Sequence, residues 1–185
     1  GSGSRAFTDG LDTGGLQQSL SSTLPNVEST ESRLPLLYVY RKECTDSCGH
    51  GRFRGGLGLE YAVISHKNVA PIAQITLASA VNQPAAHGLS GGTPAPLQSN
   101  VVLRDTSLAA MFARGEVPGS EEELQSAGLD VLLAQAVTPV GDEDCRVSLV
   151  TGGGGYGDPL LRDPASVETD VRRSRISARV AREVY

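Results

Sequence analysis

The chain has 185 residues, 39% hydrophobic and 4% aromatic, with 22 glycines, no tryptophan and a formal net charge of −5. That length supports one domain with a real core, while the acidic balance without a basic face excludes nucleic acid as a partner. No apolar run nears the ~20 residues of a membrane span, the opening GSGSRAFTDGLDTGG lacks a signal-peptide pattern, and an odd count of three cysteines suits a reducing cytoplasm.

Residues 1–30 are rich in Gly, Ser, Thr and Asp, which predicts an extended segment laid along a surface. A β-rich domain is expected over 31–160. LPLLYVYRK is apolar on both faces, the pattern of a buried strand. GLEYAVISHK and APIAQITLASAV predict two more strands, the second centred on Ile72, Ile75 and Leu77, and NVVLRD a short one. AAHGLSGGTPAPLQSN reads as a long loop. Ser120 before three glutamates predicts a helix start. Gly128 breaks that helix, and LDVLLAQAV suits either a helix or a strand. CRVSLVTGGGGYGDP is a strand running into a glycine turn. Over 161–185 a pair of short helices is expected, one capped by Asp163 with Pro164 first, the other capped by Ser177. The fold class is therefore α+β: mostly antiparallel strands closed by two helices.

Three motifs bear on chemistry. Cys44, Cys48 and His50, with Cys145 as a distant fourth, have the ligand types that zinc accepts in tetrahedral geometry. Their spacing is not the paired CxxC of a zinc module, so small thiols and a surface histidine at a strand end are the favoured reading, with no metal. In GRFRGGLG, Gly55, Gly56 and Gly58 permit positive φ and a sharp reversal. Arg52 and Arg54 flank Phe53 and in an extended segment point to one side. They are candidates to clamp a carboxylate, a phosphate or an acidic patch on a partner, or to bond local carbonyls. In TGGGGYGDP, glycines such as Gly152, Gly155 and Gly157 offer free N–H groups to an anion. However, the phrase lacks the Lys-Ser/Thr of a P-loop, and Pro159 removes a donor. A tight turn packed on other backbone is favoured, with Tyr156 a packed or contact aromatic. His66 and His87 have no acid partner in sight and read as ordinary loop or surface residues.

LPNVESTESRLPLLYVYRKECTDSCGHGRFRGGLG, VTGGGGYGDPLLRDPASVETDV and ISARVAREVY, in that order and spacing, resemble the C-terminal third of the hydantoinase B/oxoprolinase family. The family includes subunits of acetone and acetophenone carboxylases, N-methylhydantoinase B and the B-like half of 5-oxoprolinase. It commonly has small residues where this chain has Cys48, Gly49 and His50, so the cysteine cluster has no family support. The resemblance implies a multi-subunit enzyme using ATP and a divalent metal (Mg or Mn). Its partners would be a hydantoinase A-like, ATP-handling subunit and the remainder of the B-like subunit. The favoured outcome is carboxylation of a small ketone through a phosphorylated enol. The alternatives are hydrolysis of a cyclic amide (a hydantoin, oxoproline or a lactam) and a non-catalytic scaffold within such a complex. Catalytic residues are expected mostly outside this chain.

Overall fold

The computed structural model describes residues 1–13, 24–78, 80–124, 126–132 and 135–185. In chain order the elements are α1 (Val27–Glu31), β1 (Leu36–Glu43), β2 (Leu59–Ser65), β3 (Ile72–Leu77), β4 (Ser99–Arg104), α2 (Leu108–Ala113), β5 (Gly128–Val131), β6 (Gln135–Val140), β7 (Cys145–Val150), α3 (Pro164–Arg172) and α4 (Ala178–Glu183). Five strands form an antiparallel sheet in the order β1-β2-β7-β4-β5, and β3 pairs with β6 in a separate antiparallel ribbon. The architecture is α+β, as the strand-then-helix pattern predicts.

Alternation along the strands gives the sheet two faces. One face carries Ala62, Val101, Leu103, Cys145 and Val147, which pack with Val39, Leu108 and Leu124 into the main core. A register shift between Tyr38 and Tyr40 marks a bulge in β1, and this lets Val39 and Tyr40 both pack against that core. β1 is consequently half-buried, with Val39 its one buried residue, and is not the fully buried strand that its apolar run predicts. The other face carries Val102, which meets Leu132 and Val140.

Several local expectations need correction. Within the segment predicted as extended, Val27–Glu31 are helical, capped by Asn26, whose side chain accepts from the Ser29 N–H. The Ser120 start yields only a three-residue 3-10 turn, Glu121–Glu123, with no side-chain cap bond. The ambiguous LDVLLAQAV is extended at both ends, in β5 and β6. α2 went unforeseen because its six residues are too few to display a helical period. The last two helices start where predicted: Asp163 accepts from Ala165 and Ser166 N–H, and Ser177 from Val180 N–H at 3.1 Å. No helix among the described residues is long and apolar enough to cross a membrane.

Candidate functional site

Glycines bring several chain segments unusually close beyond the end of β7. Residues 152–157 run alongside the 47–58 segment and the 87–93 loop. The Gly152 N–H donates to the Ser47 carbonyl at 2.7 Å, Gly153 to Gly56 at 2.9 Å and Gly155 to Thr93 at 3.0 Å. Tyr156 and Phe53 exchange N–H···O bonds of 2.9 and 3.0 Å, and Gly157 donates to Leu89 at 2.9 Å. The opening segment joins from the other side: Gly56 donates to Ser2 at 2.8 Å, and Ser4 to Gly154 at 3.1 Å.

This weave corrects the turn readings. Gly55, Gly56, Gly58, Gly152 and Gly155 all lack positive φ, and of the predicted turn glycines only Gly157 has it, at 76°. What the run requires is the absence of side chains: a Cβ on Gly55 would overlap the Gly153 carbonyl, and one on Gly153 the Ser2 carbonyl. The same hydrogen bonds answer the anion question. The N–H groups of Gly152, Gly153, Gly155, Tyr156 and Gly157 all bond to backbone carbonyls, so they form no ready cradle for phosphate.

Beside the weave lies a buried ionic network. Arg54 is buried, its Nε 3.2 Å from Asp170 Oδ1 and its Nη1 2.7 Å from Asp12 Oδ1. Arg162 bonds Asp170 Oδ2 at 2.6 Å and grips Asp9 through two nitrogens, at 2.7 and 2.8 Å. Arg175 approaches Asp12 at 3.2 Å from a more exposed position. Both carboxylates of the opening segment also accept backbone N–H bonds, Asp9 from Arg54 and Asp12 from Leu57, each at 2.9 Å. The network therefore ties the opening segment, the arginine loop and α3 together.

Burial opposes the charge of Asp9, Asp12, Arg54 and Arg162, and the pairing overrides it. For Asp9, desolvation works against ionisation, but the Arg162 bonds hold its carboxyl below the usual range. Asp12 behaves alike, with Arg54 and the Leu57 N–H opposing its desolvation. Desolvation also disfavours the Arg54 cation, but Asp12 and Asp170 more than compensate.

Arg52 and Arg54 do not share a surface. Arg52 is exposed, with its guanidinium carbon 5.5 Å from the Phe53 ring centroid, while Arg54 is committed to internal carboxylates. Tyr156 bridges to both Phe53 and Leu89. The four zinc candidates are not gathered: among the described residues no three metal-ligating side chains converge. Cys145 sits in the main core, and burial pushes its thiol up to about 12. Burial likewise pushes the Cys44 and Cys48 thiols to about 11. His50 instead meets Tyr185, ring to ring at 5.5 Å, with a 3.2 Å contact from Nδ1 to the tyrosine oxygen. Burial lowers the His50 pKa. Sequence reasoning missed Asp9, Asp12, Arg162 and Asp170. Asp9 and Asp12 stand three apart in RAFTDGLDTGG, but nothing in the one-dimensional pattern connects them to residues 162 and 170.

The chain is 29% identical to the acetophenone carboxylase delta subunit of Aromatoleum aromaticum over 100% of its own length and 28% of the relative's. It is 30% identical to the acetone carboxylase alpha subunit of Xanthobacter autotrophicus, over 100% of this chain and 25% of the other. The caprolactamase beta subunit of Pseudomonas jessenii is 30% identical over 86% of this chain and 24% of its own length. The chain thus spans about a quarter of the length of these relatives. A nucleotide-free acetone carboxylase structure superposes with a TM-score of 0.82 at 26% identity, over 97% of this chain and 25% of the other. Residues 1–159 match the hydantoinase B/oxoprolinase family, so most of the β-rich fold and the whole glycine weave fall inside the match, and the chain belongs to that family.

Proposed function

We propose that this chain forms part of a hydantoinase B-type subunit in an ATP-dependent, multi-subunit enzyme that carboxylates a small ketone. The observation that carries the ketone reading is the structural likeness to acetone carboxylase: its TM-score is 0.82 over 97% of the chain, against 0.65 over 86% for an ATP-dependent caprolactamase. The matches to the two ketone carboxylase subunits, each over the whole of this chain, support the same side.

ATP and a divalent metal do not fit the described residues of this chain. The N–H groups of Gly152, Gly153, Gly155, Tyr156 and Gly157 are engaged by backbone carbonyls, and among the described residues no group of three metal-ligating side chains could hold an ion. Both are therefore assigned to the rest of the assembly, an A-like ATP-handling subunit and the remainder of the B-type subunit, in the cytoplasm. Within that assembly this chain acts as a rigid scaffold. Its buried arginine–aspartate network and glycine weave fix the backbone on which neighbouring parts of the enzyme rest.

The test is ATP hydrolysis by the assembled complex. Stimulation by acetone or acetophenone together with bicarbonate is expected. Stimulation by caprolactam, a hydantoin or 5-oxoproline without bicarbonate would replace carboxylation with amide hydrolysis, a reading favoured by the caprolactamase match.

A further inference from the structure

The ribbon of β3 and β6 exposes an apolar face. Its residues facing solvent are the register pairs Ala73 and Pro139, Ile75 and Val137, and Leu77 and Gln135. Ile75 is 63% exposed, Val137 71% and Leu77 79%. The opposite face turns Ile72, Gln74, Thr76, Ala136, Thr138 and Val140 inward, so it mixes apolar and polar residues, and among the described residues the buried Thr76 hydroxyl has no hydrogen-bond partner. A half-buried antiparallel ribbon normally sends its apolar residues in and its polar residues out. Here the outward set contains no charged residue. Exposed strands usually protect themselves with lysine, glutamate or a covering element, and charge depletion is the mark of an interface centre. β5 adds Leu129 and Val131, both exposed, at the edge of the main sheet.

We infer that the outward face of the β3–β6 ribbon is a docking surface whose occupant is the remainder of the B-type subunit. The inference rests on the B-type reading above. Length identifies the occupant: the curated relatives are about four times as long as this chain, so most of such a subunit lies beyond these residues. Size argues against a second copy of this chain, because a six-residue face falls well short of the roughly 20–30 residues per side of a stable interface. It suits one part of a broader contact, with Ile75, Leu77 and Val137 received by an apolar surface.

The experiment compares the free chain with the assembled enzyme, using Val137→Cys and, as a second probe, Leu77→Cys. Both positions are exposed, so neither change disturbs the fold, and unfolding of the free variants checks this. A polar maleimide should label either cysteine rapidly in the free chain and at least tenfold more slowly in the assembly. A cysteine-anchored photo-crosslinker should capture peptides from the rest of the B-type subunit. Equal labelling in both states would overturn the inference, as would capture of the A-like subunit or of a second copy. The failures are distinguishable. Protection in an assembly that carboxylates no ketone keeps the inference and removes the ketone reading. Free labelling in an active assembly removes the inference alone. A chain that never joins an assembly removes both.

Discussion

Arg54 and Asp170, 116 positions apart in the chain, meet inside the protein with Arg54 Nε 3.2 Å from Asp170 Oδ1. Asp170 is shared: its second oxygen holds Arg162 at 2.6 Å. One carboxylate therefore faces two buried guanidinium groups; with Asp9, Asp12 and the more exposed Arg175, three carboxylates meet three guanidinium groups. Removing one partner of such a set leaves an uncompensated buried charge, which costs about 3–5 kcal/mol. Asp170→Ala should lower stability by that order in urea unfolding of the chain. Arg54→Met combined with Asp170→Leu should recover part of the loss, since the charges leave together.

The depressed carboxyls set an acid limit. Asp9 and Asp12 have folded pKa values below their ordinary 3.8, so the folded state binds fewer protons than the unfolded state as pH falls. Their contribution is full above the unfolded pKa and is lost as pH drops through the lower folded values. Unfolding midpoints measured from pH 6 to pH 2 should therefore hold above about pH 5 and fall below about pH 4. Asp12→Asn should start lower and show a shallower fall over the same window.

Two glycine substitutions separate close approach from mere flexibility. Gly153→Ala drives a methyl group into the Ser2 backbone carbonyl, whereas a methyl on Gly3 meets nothing within 4 Å. Overpacking against backbone costs about 1–3 kcal/mol or more. Thermal unfolding should show a marked loss for Gly153→Ala and a change within about 0.5 kcal/mol for Gly3→Ala.

Thiol chemistry should be quiet. Burial keeps Cys44 and Cys48 protonated up to about 11, and Cys145 up to about 12. Since the thiolate is both nucleophile and metal ligand, native protein should react slowly with a disulfide reagent at pH 8 and rapidly after unfolding. Cobalt titration should give no thiolate charge-transfer band. A stoichiometric band lost in Cys48→Ala would contradict this.

Much of the strand layout is legible along the chain. Leu36–Glu43, Leu59–Ser65 and Cys145–Val150 follow from β-branched and aromatic runs between glycine and polar punctuation, and the α+β class follows from their order. The Asp163 and Ser177 caps are legible because capping is local chemistry. The ionic network is not, because Asp9, Asp12, Arg162 and Asp170 are unremarkable singly and acquire meaning only where distant segments cross. Arg52 and Arg54 diverge because the loop around Phe53 is not a regular strand, so spacing by two does not fix a common side. The exposed apolar face of the ribbon defeats pattern reading for another reason. Alternation in β3 shows which residues share a face, but not which face meets water.

The crossing of the opening segment with the glycine weave sets an order of events during synthesis. Ser2, Ser4 and Asp9 find partners at Gly56, Gly154 and Arg162. During synthesis Asp9 is released 153 positions before its partner Arg162. Until then the Asp9 carboxylate remains solvated, and the Ser4 N–H lacks its Gly154 partner. Closure of so long a loop is entropically slow. Folding of this region therefore completes only after the 150–170 stretch has been made, and until then its exposed segments are open to proteases and to aggregation.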